Sequence, residues 1–172
     1  MDKVLIIIDM QNDFITGALG TPEAKRIVPK VVDYLNHYEG KVIFTRDTHY
    51  KNYLNTLEGT KLPITHCIRD TWGWEICDEL KPYTEKIINK ETFGYSDWEY
   101  LLNVNTTRKT APDEIEICGL CTDICVISNA LILRAAYPNV RIYVHKDMCA
   151  GVTPELHEQA LEVMKSCQID VI

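Results

Sequence analysis

The sequence predicts an α/β fold: one domain over residues 1–172, with an open, mainly parallel sheet carrying helices on both faces in a Rossmann-like three-layer α/β/α arrangement. Val4 to Ile8 is an unbroken run of β-branched residues and Leu, the pattern of a strand buried on both faces. Runs of that kind then alternate with stretches of helical periodicity along the chain, which favours parallel strands joined by helical crossovers. A third observation points to a site. Asp9, Asp47, His49, Lys90 and the turn before Cys125 all fall at carboxyl ends of predicted strands, the edge where open α/β sheets bind ligands.

After the first strand, Met10 to Gly17 reads as a turn-rich loop containing two apolar residues, Phe14 and Ile15. Thr21-Pro22 opens a helix, with Thr as N-cap and Pro at the first helical position. Ala24, Ile27, Val28, Val31, Val32 and Leu35 then form one apolar face. Gly40 ends that unit, and Lys41 to Thr45 is the second strand. A short third strand covers Glu85 to Asn89, and Ser96 caps a short helix through Trp98, Leu101 and Leu102. Asn103 to Pro112 is a polar loop. Glu114 to Cys118 is the fourth strand, and the helix after it runs from about Thr122 to Tyr137. Its residues are apolar nearly all round, which predicts a place deep in the fold or at a subunit contact in a homo-oligomer. Val140 to His145 is the fifth strand, Asp147 to Thr153 a loop, and Thr153-Pro154 starts the last helix. Ile169 to Ile172 closes the sheet.

Composition narrows the function. The 172 residues are 46% hydrophobic, enough for one substantial core. The formal charge is -7 with Lys and Arg scattered, so neither a nucleic acid nor an anionic membrane is an expected partner. Seven cysteines at irregular positions, several inside apolar runs, do not form a disulfide framework and suit a reducing cytoplasm. No apolar run reaches the length of a signal peptide or a membrane span.

Two stretches carry chemistry. In Ile115 to Ala130, a strand meets Gly119 and leads into a helix whose first turn holds Cys125. Unpaired N–H groups and the helix dipole there favour thiolate and can hold a developing oxyanion. Cys118, Cys121 and Cys125 also admit a metal or redox reading, although no second pair of cysteines completes a zinc site. The second stretch supplies Asp47, His49 and His66, with Glu58 as a candidate fourth donor: a mixed oxygen and nitrogen set suited to Zn²⁺, or to Mn²⁺ or Fe²⁺. Asp9 is read either as a ligand-facing acid or as a loop cap. Lys90 is either a solvated cation or a charge that steadies negative charge at Asp9 and Cys125. Trp72 and Trp74 either fill core or stack on a planar ligand.

The motifs Ile-Ile-Asp9-Met-Gln-Asn-Asp-Phe, Thr-Arg-Asp47-Thr-His49, Leu-Pro-Ile-Thr-His66-Cys, Asn-Lys90-Glu-Thr-Phe-Gly and Cys-Gly119-Leu-Cys-Thr-Asp-Ile-Cys125-Val together resemble the isochorismatase-like cysteine hydrolases. Within them the chain is most similar to the nicotinamidases. The resemblance implies a catalytic triad of Asp9, Lys90 and Cys125. It implies an oxyanion hole from the backbone N–H groups of Cys121 and Cys125, commonly with a cis peptide at Leu120-Cys121. It also implies a metal, zinc first, on Asp47, His49 and His66 that takes the pyridine nitrogen of the substrate. Phe14, Phe93, Tyr95 and Leu120 are the implied substrate contacts. The implied reaction is hydrolysis of nicotinamide to nicotinate and ammonia through a cysteine thioester, within NAD salvage and pyridine nucleotide biosynthesis. The alternatives are another small amide or carbamoyl substrate, a binding protein that keeps the fold without turnover, and a redox role for Cys121 and Cys125.

Overall fold

Ile6, Ile7 and Ile8 are fully buried, so strand β1 (Lys3–Ile8) lies at the centre of the sheet. The computed structural model describes residues 2–103 and 111–172, so most of the polar loop expected at 103–112 lies outside the described residues. The other strands are β2 (Lys41–Asp47), β3 (Ile87–Lys90), β4 (Glu114–Leu120), β5 (Arg141–Ala150) and β6 (Asp170–Val171). They form one six-stranded sheet in the order β3-β2-β1-β4-β5-β6, every pair parallel. The chain steps outward from β1 to β3 and then returns to β4 on the other side of β1. The switch point between β1 and β4 therefore opens a crevice at their carboxyl ends.

The helices are α1 (Asn12–Ile15), α2 (Pro22–Leu35), α3 (Leu57–Lys61), α4 (Trp98–Asn103), α5 (Ile127–Ala136) and α6 (Pro154–Ser166). Helix α2 packs over β4 and β5, and α5 packs against α4 and α6. Both predicted caps are present: Thr21 Oγ1 accepts from the Ala24 N–H at 3.0 Å, and Thr153 Oγ1 from the Leu156 N–H at 3.2 Å. Among the described residues no helix is long and apolar enough to cross a membrane.

The structure departs from the expected elements in several places. The loop after β1 folds into α1 because Phe14 and Ile15 are drawn into the core. Strand β5 continues to Ala150 past an irregularity in which Val144 pairs Ile117 but Cys149 pairs Gly119. The polar residues His145, Lys146 and Asp147 occupy that irregularity and hide the strand's continuation from a periodicity argument. Helix α5 begins only at Ile127, because Thr122–Val126 forms a wide π turn closed by the Val126 N–H donating to Cys121 O at 3.0 Å. Helix α5 is buried along one face only: Ala130 and Leu133 are buried, while Leu131 and Ala135 are exposed.

One buried polar cluster lies under α2. The Tyr34 hydroxyl donates to Glu116 Oε2 at 2.5 Å, and His145 Nε2 lies 2.6 Å from the same oxygen. Burial pushes the Glu116 carboxyl up, but the His145 and Tyr34 contacts outweigh it and hold the carboxyl below its ordinary value of 4.5. A depressed folded-state value contributes stability above the ordinary one, and that stability is lost as pH falls through the folded value. Glu116→Gln is accordingly expected to flatten the acid side of the melting-temperature profile. An acid limb identical to that of the parent chain would refute the assignment.

Candidate active site

The site begins with Asp9, the first residue after β1, fully buried and held at a positive φ of 48°. Thr45 on the neighbouring strand β2 fixes it twice: its hydroxyl donates to Asp9 Oδ1 at 2.6 Å, and its oxygen accepts from the Asp9 N–H at 3.2 Å. Lys90 ends β3 and pairs in register with Asp47 at the end of β2. That register brings the Lys90 ammonium to 2.6 Å from Asp9 Oδ2, 3.5 Å from Asp47 Oδ1 and 3.5 Å from Cys125 Sγ. Three strand ends and the π turn thus converge on one buried cation.

Gly119 is what lets β4 approach β1 so closely. Its φ is 120°, and a Cβ there would lie 2.1 Å from Ile8 O. The next peptide bond but one, Leu120-Cys121, is cis. Beyond it, Asn129 grips the turn: its Nδ2 donates to Cys125 O at 2.7 Å and to Phe93 O at 3.1 Å. Its Oδ1 accepts from the Tyr95 N–H and the Trp98 indole.

Burial governs the electrostatics. It raises the Asp9 carboxyl above its ordinary value, and attraction to Lys90 offsets only part of that shift. For Lys90 the balance reverses: burial disfavours the ammonium, but Asp9, Cys125 and Asp47 together raise its pKa. The Cys125 thiol is pushed well above its ordinary value by burial, with Asp9 adding to the shift and Lys90 opposing it. Burial thus opposes the thiolate that the N–H groups of the turn favour, and Asp9, a carboxyl raised by the same burial, stands beside the thiol.

The second constellation adjoins the first. Asp47, His49, Glu58 and His66 bring one donor atom each to within 4.8 Å of one another. His49 Nε2 lies 3.0 Å from Asp47 Oδ2 and 3.4 Å from Glu58 Oε1, and His66 Nε2 lies 3.7 and 3.8 Å from the same two atoms. His66 Nδ1 faces Ile64 O at 2.8 Å, which leaves Nε2 to the cluster, and His49 Nε2 is buried without a hydrogen-bond partner. Two imidazoles and two carboxylates converging on one point, with an orphaned ring nitrogen among them, fit a divalent cation of the Zn²⁺, Mn²⁺ or Fe²⁺ type.

The surroundings orient these donors. Gln11 accepts from the Asp47 N–H at 2.7 Å and donates to Asp47 O at 2.9 Å. Tyr53 sets its ring 4.6 Å from His49 and 5.0 Å from His66. Burial raises the Asp47 carboxyl, but the two histidines and Lys90 together bring it below the usual carboxylate range. Burial lowers His49, but Asp47 and Glu58 outweigh it and push the imidazole up to about 9.

Both constellations face one cavity of about 670 Å³. Phe14, Asp47, Glu58, His66, Cys121 and Cys125 line it, and Leu19, Leu57, Phe93 and Val152 are among the other residues of its wall. Tyr95 and Leu120 do not line it: the Tyr95 ring stands edge-on to Trp98 at 5.1 Å, and Leu120 is packed in the core. Nor do the tryptophans. Trp74 is buried, donates to Thr48 Oγ1 at 2.9 Å and lies 3.4 Å beneath the Arg46 guanidinium, while Trp72 is exposed. Thr45, Gln11, Tyr53 and Asn129 are the site residues that sequence reasoning missed. Gln11, two positions after Asp9, had a signal in its place at the strand end; the others act only through tertiary contacts.

Comparison with known proteins places the chain in a family. A family model described as the Isochorismatase domain matches residues 3–172. The chain is 26% identical to a nicotinamidase of Saccharomyces cerevisiae, an alignment covering 99% of each. It is also 26% identical to the nicotinamidase/pyrazinamidase of Mycobacterium tuberculosis, over 99% of this chain and 98% of that one. Among solved structures, a pyrazinamidase of Pyrococcus horikoshii in complex with zinc superposes with a TM-score of 0.82 at 30% identity, covering 100% of this chain and 99% of the other. A nicotinamidase/pyrazinamidase of Bacillus subtilis gives 0.81 at 29%, covering 99% of both. With the family model matched from the first strand to the last residue, the chain belongs to the isochorismatase family, as an amidohydrolase within it.

Proposed function

We propose that this protein hydrolyses nicotinamide to nicotinate and ammonia through a thioester on Cys125, with a divalent metal held by Asp47, His49, Glu58 and His66. The observation that carries the reading is the position of Lys90, within 3.5 Å of Asp9, Cys125 and Asp47 alike. It joins a nucleophile with its base to a cation site at the floor of one cavity. The zinc in the Pyrococcus horikoshii relative and the nicotinamidase names of the curated relatives support the same reading. Asp47, His49, Glu58 and His66 would hold a zinc ion, which would supply a Lewis acid for the pyridine nitrogen of the substrate.

The chain's own residues then carry the reaction. Asp9 takes the proton of Cys125, and the thiolate attacks the amide carbon. Lys90 and the backbone N–H groups of Cys121 and Cys125 balance the charge that develops on the carbonyl oxygen. Asp9 returns the proton to the departing ammonia. Water enters, gives a proton to Asp9 and attacks the thioester; nicotinate leaves, and the proton returns to Cys125. Phe14 and Phe93 pack on the ring.

The test is ammonia release from nicotinamide by purified protein, before and after chelation and with Zn²⁺, Mn²⁺ or Fe²⁺ restored. Activity is expected to fall at least about tenfold on chelation and to return with metal. No turnover with any of the three ions would overturn the reading. A cavity of about 670 Å³ is generous for a single pyridine ring and favours, as the second reading, another small amide or carbamoyl compound. Relative rates on nicotinamide, pyrazinamide and simple ureido acids separate the two.

A further inference from the structure

We infer that His157, outside both constellations, is a positioning residue for this reaction, acting through Thr122 on the turn that carries Cys121 and Cys125. Thr122 directly follows Cys121 and is completely buried. Its Oγ1 lies 2.8 Å from Nδ1 of His157, on the first turns of α6. The next residue is tied to the same place, because Asp123 Oδ1 accepts from the Val152 N–H at 2.9 Å. Gly151 permits the approach: a Cβ there would come within 2.9 Å of Asp123 Oδ1 and 2.8 Å of His157 N.

A π turn needs such anchoring more than an α turn does. Its hydrogen-bond geometry is wider and less favourable, so its shape is set by what holds it from outside. Here Asn129 holds the turn at Cys125 O, and His157 holds it at Thr122, one residue past the cis peptide. The two grips flank the Cys125 N–H, and the first directly follows Cys121, so together they hold the N–H groups and the sulfur on which the proposed chemistry depends. Nδ1 of His157 and the Thr122 hydroxyl share one hydrogen bond, which either can donate according to the ring tautomer. Neither Thr122 nor His157 lines the cavity, so the pair acts on the rate of the chemical steps and not on substrate binding.

The inference rests on the proposed hydrolysis, and its test separates the two. His157→Phe keeps a ring of similar size and loses the ring nitrogen, His157→Asn restores a polar side-chain atom near Nδ1, and Thr122→Val removes the hydroxyl at nearly constant volume. In metal-loaded protein, His157→Phe is expected to lower kcat for nicotinamide by roughly tenfold or more with KM within about twofold. His157→Asn should recover most of that loss, and the Thr122→Val/His157→Phe double variant should be no slower than the slower single variant. A second readout is the rate of Cys125 alkylation by iodoacetamide, followed by peptide mass spectrometry, which should fall in His157→Phe. An unchanged kcat in His157→Phe, or losses in the two single variants that simply add, would overturn the positioning role. If the parent chain releases no ammonia, the nicotinamide reading fails by itself, and the alkylation rates decide the role of His157: slowed in both single variants it stands, unchanged it falls.

Discussion

Replacing Cys125 by alanine is expected to cut ammonia release by about four to six orders of magnitude, as deletion of a nucleophile does in other hydrolases. The only sulfur recorded in contact with the Lys90 ammonium among the described residues is that of Cys125, at 3.5 Å. Cys121 also lines the cavity, and burial raises its thiol as it raises that of Cys125, so the contact with Lys90 is what separates the two sulfurs. The four metal donors do not include Cys125, so metal content by elemental analysis should be unchanged, and nicotinamide binding by calorimetry should stay within a few-fold. Residual turnover within a hundredfold of the parent would mean that Cys125 is not the nucleophile. Loss of metal would mean that the two constellations are not separable.

Lys90→Met has the largest expected effect on stability, about 3–5 kcal/mol at neutral pH. The substitution keeps the length of the side chain but leaves Asp9 and Asp47 buried without their shared cation. Asp9 already sits above its ordinary value through burial, and removing the attraction of Lys90 raises it further. A group whose folded-state pKa is raised contributes stability below its unfolded value, and that contribution is lost as pH rises through the folded one. The deficit of Lys90→Met should thus shrink on acidification below the ordinary aspartate value of 3.8 and grow toward neutrality. Denaturant unfolding at several pH values reads this directly, and a deficit independent of pH would contradict it. Activity should fall as well, by at least about a hundredfold, because the proposed reaction uses the Lys90 charge to balance the developing oxyanion.

Much of this was legible in the residues. The run Val4 to Ile8, the helical face from Ala24 to Leu35 and the caps Thr21 and Thr153 each follow from local rules of periodicity and capping, and each is present in the structure. The collection of Asp9, Asp47, Lys90 and Cys125 at strand ends was also visible, because in a parallel sheet every carboxyl end opens on the same edge. The short helix at Asn12–Ile15 and the extension of β5 to Ala150 were not visible. The first depends on two apolar side chains finding the core, and the second on Glu116 and Tyr34 accommodating His145 inside an irregular strand.

The sequence by itself determined the alternation of strands and helices, the family motifs and the residue types available for nucleophile, base and metal. Those are properties of order along the chain and of local side-chain chemistry. Tertiary structure alone decided how the groups stand to one another. It set the register that pairs Asp47 with Lys90, the burial that raises both Asp9 and the Cys125 thiol, and the gathering of Glu58 with His49 and His66. It also turned a predicted helix start into a π turn gripped by Asn129 and His157. The physical reason is that a pKa, a donor set and a turn's shape all depend on distances across chain separations that no periodicity spans.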